Sequence, residues 1–121
     1  GTTSEAMVEL IDVYPTLADL AGLKAPGHLQ GSSLRPLLGN PERMGKKKYA
    51  YSVVTRGPKN LGYALRNQNW RYGKWPDGEE LYNLRNDPQE KNNLVQKEHL
   101  KERLEELRNI LANKQKLIIP K

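Results

Sequence analysis

The chain has 121 residues, and its 20 lysines and arginines against 14 aspartates and glutamates give a net charge of +6. Hydrophobic residues make up 36% of the chain, and no apolar run approaches the roughly 20 residues of a transmembrane helix, so we expect one small globular domain. Cysteine is absent and only two histidines occur, which excludes a disulfide framework, a thiol nucleophile and the common zinc motifs. The start has neither an initiator methionine nor the pattern of a signal peptide, so we expect an excised segment or a processed chain, with the segment favoured.

The first predicted element is a helix within residues 1–23. Hydrophobic residues recur there at steps of three and four, which is the period of an α-helix. Thr2 and Glu5 have the spacing of a capping box and therefore predict its start. Pro15 has no N–H group to donate, so we expect the helix to kink or break there, with Asp12 capping the second half.

Residues 24–48 are predicted to form a long connecting loop. Glycine, proline and lysine dominate the segment, and we expect at most one short turn, at residues 33–38. Loops longer than about 12 to 15 residues usually have a function or pack on another part of the protein.

Residues 49–84 change to a period of two, which predicts β-strands. A short polar link at 67–69 and a Pro-Asp-Gly turn at 76–78 separate neighbouring strands. The pattern predicts an antiparallel meander of four strands, at residues 49–55, 61–67, 70–75 and 79–84.

The last predicted element is an amphipathic helix at residues 94–115. Leu100, Leu104, Leu107 and Leu111 are spaced four, three and four apart, and charges of both signs occupy the other face. Residues 117–120 either form a short strand or fray. The predicted fold class is therefore α+β, with a four-stranded antiparallel sheet, a kinked N-terminal helix and a C-terminal helix.

A basic, aromatic band is the first candidate for binding. Cations interleaved with flat rings suit a sulfated or phosphorylated polymer. Strand alternation offers another interpretation, with rings in the core on one face and charges in solvent on the other. The band consists of Arg56, Lys59, Arg66, Trp70, Arg71, Tyr72, Lys74 and Trp75.

The loop at residues 56–60 is the second candidate. Its glycine and proline fix its shape and its two cations suit an anion, although a plain hairpin connection explains it nearly as well. His28 lies in the long loop, where it either contacts a ligand or faces water. Asp87 and its neighbouring asparagines supply oxygen atoms, but the EF-hand spacing is absent and a turn explains them better.

Three segments, in order, resemble the formylglycine-dependent sulfatases. Residues 8–23, VELIDVYPTLADLAGL, are similar to the family's VDLYPTLLDLAGL helix. Residues 31–38, GSSLRPLL, resemble its G-x-S-L-x-P-L-L segment, and residues 80–94, ELYNLRNDPQEKNNL, resemble its ELYDLxxDPxExxNL signature. The resemblance covers the C-terminal subdomain of such an enzyme.

Further segments are most similar to the iduronate-2-sulfatase branch. They are AYS at residues 50–52, LGYALR at 61–66 and WRYGKW at 70–75. The resemblance implies a parent enzyme that hydrolyses a sulfate ester, plausibly on a sulfated glycan.

The resemblance also implies that the reaction chemistry lies outside this chain. The family's formylglycine nucleophile and Ca²⁺ ligands belong to the missing N-terminal catalytic domain, so this segment alone has no catalytic residue, metal ligand or cofactor and should be inactive. Ser52 and Arg56 are four apart, as in the nucleophile motif, but Val54 replaces the required residue between them, so we reject Ser52 as a nucleophile.

The predicted partners are the missing N-terminal domain and a sulfated glycan. Arg56, Lys59 and Asn60 are our candidates for contacting an acidic sugar, with Arg66 and His28 as weaker ones. The family resemblance places the parent in the periplasm, outside the cell or in the lysosome. We expect no membrane partner, and nucleic acid is disfavoured. Alternatives are a free-standing basic module that binds acidic polysaccharide or nucleic acid, and a purely structural cap.

Overall fold

The computed structural model describes residues 1–43, 45–57 and 60–118. The chain forms two compact units, residues 1–50 and 51–121. In chain order the elements are a 3₁₀ turn at Leu10–Asp12, α1 at Val13–Leu20, α2 at Arg35–Gly39, β1 at Ala50–Thr55, β2 at Leu61–Arg66, β3 at Trp70–Trp75, β4 at Gly78–Asn83, a second 3₁₀ turn at Glu98–Leu100 and α3 at Lys101–Ile118.

The N-terminal helix is shorter than predicted. Residues 1–9 are not helical, and the capping box is formed by Glu9 and Asp12 rather than by the predicted pair, whose assignment was wrong. Pro15 is the third residue of α1, within the first turn, where a backbone N–H has no partner inside the helix. The expected break at Pro15 is therefore simply the start of α1.

The end of α1 and the following loop depend on two glycines. Gly22 has φ +70°, and the N–H of Leu23 donates to the carbonyl of Ala18 at 2.8 Å, so Gly22 closes the helix in the left-handed conformation. A Cβ atom on Gly31 would clash with the carbonyl of Ile11, so a glycine lets the loop pass directly against the backbone of the first turn. The short turn predicted at residues 33–38 is confirmed as α2.

The C-terminal unit is the predicted antiparallel meander. The strands lie in the order β1-β2-β3-β4, and the predicted strand boundaries are correct to within one residue. Leu65 of β2 lies opposite Tyr72 of β3, and Tyr72 lies opposite Leu81 of β4. All three side chains are fully buried. Strand alternation therefore places one row of apolar side chains on a single face of the sheet.

Helix α3 supplies three further buried side chains of this unit, Leu104, Leu107 and Leu111, and Leu84, just after β4, is buried as well. The helix begins at Lys101 and not at residue 94 as predicted. The reason is that Leu94 donates its N–H to the carbonyl of Leu81 at 2.8 Å, while Leu81 donates its own N–H to the Asn93 side chain at 3.0 Å. These bonds hold residues 93–94 along β4 instead of in a helix. The α3 helix includes residues 117 and 118, and the rest of the predicted tail lies outside the described residues.

A polar network joins α3 to the sheet. The Tyr72 hydroxyl donates to Glu79 Oε1 at 2.5 Å, and Arg108 Nε donates to the same oxygen at 3.0 Å. The hydrogen bond from Arg108 holds the pKa of Glu79 below its usual value, whereas burial, followed by the bond to Glu79, raises the pKa of Tyr72. Glu79 therefore stays ionised and Tyr72 stays neutral near pH 7.

Candidate functional site

Arg56 and Trp75 form a cluster on the sheet face opposite α3. The Trp75 ring lies over Gly62, where a Cβ atom would be 2.5 Å from the ring. The Arg56 guanidinium carbon lies 4.7 Å from the centre of the same ring, which is within cation–π range. We call this pair with Gly62 the Arg56–Trp75 cluster. Its exposed cation, held against a ring, suits an anionic ligand that carries an apolar face.

Arg56, a predicted sugar contact, belongs to this cluster, and Asn60, a second one, lies beside it. Arg56 donates its N–H to the carbonyl of Asn60 at 2.8 Å, so the two residues face each other across the loop. Among the described residues, no carboxylate forms a salt bridge with Arg56. Its charge is therefore available to a ligand. Lys59, the third predicted contact in this loop, lies outside the described residues.

The two weaker candidates lie elsewhere. Arg66 is the last residue of β2, at the opposite end of the strand from Asn60. At about 3.3 Å per residue, roughly 17 Å separates Arg66 from Leu61 at the start of that strand. His28 belongs to the N-terminal unit, where it is exposed in the long loop. The C-terminal unit therefore brings Arg56 and Asn60 together but does not add Arg66 to them.

The basic, aromatic band is divided by the sheet. Tyr72 is a buried core residue on the α3 side, while Trp75 lies on the other face. Arg71 forms salt bridges with Glu80 and Glu90 at 3.3 and 3.1 Å, so its charge is already neutralised. Alternation thus explains the burial of Tyr72, as the structural interpretation expected. Of the other described members of the band, Arg56, Arg66 and Lys74 are exposed, and Trp70 and Trp75 are half-buried.

A buried ion pair organises the N-terminal unit, and sequence reasoning missed it. Asp12 is fully buried and accepts from Lys47 Nζ at 2.7 and 2.8 Å and from the Ser32 N–H at 2.8 Å. Burial alone would raise the pKa of Asp12, but the bonds from Lys47, Ser32 and Glu9 lower it overall. With its oxygens engaged by protein donors, Asp12 is structural. The signal for it in the sequence is that Asp12 is the one charged residue in the otherwise apolar stretch 10–13.

The N-terminal unit also presents a large apolar surface. Exposed apolar side chains occur before, along and after α1, and one lies on α2; their exposed fractions run from 45% to 88%. We call this set the N-terminal apolar surface: Val8, Leu10, Ile11, Val13, Tyr14, Leu17, Leu20, Leu23 and Leu38. So many exposed apolar side chains in one small unit indicate an interaction surface.

The described residues do not fit the chemistry of a sulfatase centre. Within the ranges that the structure describes, no group of three or more histidine, aspartate or glutamate side chains could hold a metal ion. The chain has no cysteine, and Ser52 is an exposed residue of β1. None of the described helices is both long and apolar enough to cross a membrane.

Comparison with known proteins identifies the family. Residues 1–117 match the family described as N-sulphoglucosamine sulphohydrolase, C-terminal. The chain belongs to the C-terminal domains of sulfatases. A related protein of the Bacteroides thetaiotaomicron strain VPI-5482, the N-acetylglucosamine-6-O-sulfatase, is 31% identical over 125 residues, which cover 96% of this chain and 22% of that enzyme. The chain therefore spans about a fifth of the length of this related sulfatase.

Two solved structures share the fold of this sulfatase domain. One is a protein in complex with its substrate D-glucosamine-2-N,6-O-disulfate, with 30% identity and a TM-score of 0.78, covering 87% of this chain and 23% of that one. The other is a 2-O GAG sulfatase, with 30% identity and a TM-score of 0.77, covering 85% and 23%. Membership of this family disfavours the free-standing basic module, and the iduronate-2-sulfatase branch remains a prediction.

Proposed function

We propose that this domain is the C-terminal part of a sulfatase that hydrolyses a sulfate ester on a sulfated glycan. The observation that carries the proposal is the family match over residues 1–117 in a chain that spans about a fifth of its related sulfatases. The names of these relatives refer to sulfated sugars, which supports a glycan as the substrate of the parent.

The partner of the N-terminal apolar surface is, in this proposal, the catalytic part of the same sulfatase. Tyr14 and Leu17 on α1 are 58% and 61% exposed, and Leu10 just before it is 88% exposed. Burying one such side chain stabilises a complex by about 1.5–3 kcal/mol before the costs of association. The remaining four-fifths of a sulfatase chain would supply a covering surface of the necessary size.

The Arg56–Trp75 cluster is the proposed contact with an acidic sugar. A sulfate or carboxylate group would accept hydrogen bonds from the Arg56 guanidinium, which donates in a planar fork suited to such oxyanions. The Asn60 side chain, at the other side of the same loop, would reach a sugar hydroxyl. Lys59, Arg66 and His28 stay as further predicted contacts.

A narrower proposal concerns the substrate and the parent's cofactors. The branch-specific segments AYS, LGYALR and WRYGKW favour 2-O-sulfated iduronate, and similarity to a 2-O GAG sulfatase supports a 2-O-sulfated sugar. Formylglycine and Ca²⁺ would be supplied by the catalytic part outside this chain, because the described residues do not fit them. The parent would act in the periplasm, outside the cell or in the lysosome.

The test compares variants of the full parent enzyme on 2-O-sulfated and 6-O-sulfated disaccharides. Arg56→Ala and Asn60→Ala should each lower kcat/KM about tenfold or more, equivalent to about 1.4 kcal/mol. Arg85→Ala is a matched control, since Arg85 is an exposed arginine in a different turn. Unchanged kcat/KM in both site variants would remove them from the substrate site. No turnover of any sulfated disaccharide by the parent would overturn the proposed function itself.

A further inference from the structure

A cavity lies within the C-terminal unit, where the first residue of β3 meets the segment that leads into α3. Its volume is about 470 Å³, and ligand sites of small molecules commonly occupy about 300–1,000 Å³. We call it the Trp70 cleft. Its side chains with binding chemistry are Trp70, Asn86, Asp87, Asn92, Lys97 and His99.

Trp70 forms the aromatic wall of the cleft, and both its backbone and its ring are in contact with neighbours. The Asn67 side-chain oxygen accepts the backbone N–H of Trp70 at 2.7 Å, and the Arg103 guanidinium carbon lies 5.9 Å from the centre of the ring. The ring is half-buried, so part of it remains accessible. A fixed and partly exposed indole offers a flat apolar surface without requiring a large ordering of the side chain on binding.

Asp87 gives the cleft a fixed hydrogen-bond acceptor. Its Oδ2 accepts from the Asn92 N–H at 2.8 Å and from Asn92 Nδ2 at 3.4 Å. The carboxylate is therefore oriented by the turn that the sequence predicted, and its two oxygens have more lone pairs than these bonds use. The Asn86 and Asn92 amides beside it are exposed and can both donate and accept.

Lys97 gives the cleft a cation, and His99 adds an imidazole ring that can form hydrogen bonds. Both are exposed, and no salt bridge joins either of them to a carboxylate in the part of the chain that the structure describes. The cleft thus combines an indole face, amides, a fixed carboxylate, the Lys97 ammonium group and the His99 imidazole. A sugar ring matches this set, because its C–H face packs on an aromatic ring while its hydroxyls both donate and accept.

We propose that the Trp70 cleft binds one pyranose unit of an acidic glycan. The sugar ring packs on Trp70, its hydroxyls bond to Asp87 and the neighbouring amides, and its carboxylate or sulfate lies toward Lys97 and His99. A nucleic-acid strand is disfavoured, because the Asp87 carboxylate would repel consecutive phosphates. The inference goes beyond the proposed function, since none of these residues has a role in it.

The experiment uses the 121-residue chain with Trp75→Phe, which leaves Trp70 as its single tryptophan. The fluorescence of Trp70 is followed during titration with glucuronic acid, glucose 6-sulfate, unmodified glucose and oligothymidylate. Saturable changes with either acidic sugar, at least tenfold tighter than with glucose, are expected. The two acidic sugars distinguish a carboxylate from a sulfate as the recognised group. Equal responses to all sugars, no response, or tighter binding of the oligonucleotide would overturn the proposal.

Exposed substitutions then locate the binding. Lys97→Gln and His99→Ala should each weaken binding of the acidic sugars at least fivefold. Lys101→Gln is the matched control and should not weaken binding, because Lys101 already pairs with Glu98. Loss of the response in Arg56→Ala instead would place the sugar at the Arg56–Trp75 cluster, overturning this inference while leaving the proposed function intact. Amide chemical-shift mapping of the unsubstituted chain locates the bound sugar without the Trp75→Phe change. The amides that shift on binding must include those of Trp70, Asn86 and Asn92.

Discussion

The Lys47 ammonium group lies 2.7 and 2.8 Å from the two carboxylate oxygens of Asp12, 35 residues earlier in the chain. The Lys47 side chain is only 16% exposed and that of Asp12 only 1%. The same carboxylate accepts the Ser32 N–H, so it fastens the long loop at two points to the residue that precedes α1. A buried ion pair with several hydrogen bonds, rather than a large apolar core, therefore holds this loop in place.

Asp12→Asn should destabilise the N-terminal unit strongly. The amide keeps the size of the carboxylate but removes one of the two carboxylates that pair with Lys47, since Glu9 also pairs with it. Losing a buried hydrogen-bonding partner of a charged group in this way costs about 1–3 kcal/mol. Urea unfolding followed by circular dichroism measures the loss, and hydrogen exchange of the Ser32 amide shows whether the loop is released. Because the pKa of Asp12 is lowered in the folded chain, its stabilisation is complete above pH 3.8, the ordinary value, and is lost as pH falls below it.

Asp19→Asn is the matched control in the same unit. Asp19 pairs with Arg35 at 3.0 Å, but these side chains are 40% and 58% exposed. An exposed ion pair contributes about 0–1 kcal/mol, so the control should cost far less than Asp12→Asn. Equal losses in the two variants would show that burial of the Asp12 pair does not set its importance.

The network between α3 and the sheet should respond to acid. The hydrogen bond from Arg108 lowers the pKa of Glu79, so the unfolded chain binds a proton more readily than the folded one. The stabilisation is therefore fully present above pH 4.5, the ordinary value for glutamate, and decreases as pH falls below it. Thermal melting between pH 7 and pH 3 should show a decline that is smaller in Glu79→Gln, which cannot titrate.

Tyr72→Phe provides the control for that experiment. It removes the hydroxyl that donates to Glu79 and keeps the buried ring, so it should cost about 1 kcal/mol at pH 7. The acid-dependent decline should persist, since Glu79 still pairs with Arg108. An identical pH profile for the unsubstituted chain and Glu79→Gln would contradict the role given to Glu79.

The sheet was predictable because its signals are local. Alternation places Leu65 and Tyr72 on one face, and the Pro-Asp-Gly turn fixes where β3 ends and β4 begins. The helix boundaries were less predictable, because they depend on partners distant in sequence. The apolar periodicity starts well before α1, but the residues up to Asp12 form a separate 3₁₀ turn. Leu94 fits the helical period, but its N–H bonds to the carbonyl of Leu81 and so lies outside α3.

The candidate site was predictable only in part, for a similar reason. The loop position and charge of Arg56 indicated an anion contact, and its neighbour Asn60 followed from the same loop. The stacking of Arg56 on Trp75 joins residues 19 positions apart in sequence and depends on the strand register beside Gly62. The polar turn at Asp87 was recognised, but its position beside Trp70 in a cavity required the fold.

Gly62→Ala should disturb the Arg56–Trp75 cluster. A Cβ atom there would lie 2.5 Å from the Trp75 ring, so the ring must move, and overpacking of this kind costs about 1–3 kcal/mol. The emission of Trp75, measured in a Trp70→Phe background, should change as the ring leaves Arg56. Gly78→Ala adds the same atom with nothing within 4 Å and should leave both stability and emission nearly unchanged. Identical behaviour of the two variants would contradict the close packing on Gly62.

The N-terminal apolar surface should make the isolated chain associate with itself. Leu10 and Leu17 are 88% and 61% exposed, and water-exposed apolar groups at high density favour contact between copies when the natural covering surface is missing. Leu10→Lys with Leu17→Lys should shift sedimentation toward monomer at a given concentration. Val53→Lys, a matched change at a 48% exposed position of β1 outside this surface, should not. In the full parent the double variant should instead lower the melting temperature, because there the lysines would face the catalytic part. A chain that stays monomeric at every concentration, together with an unaffected parent, would show that nothing docks on this surface.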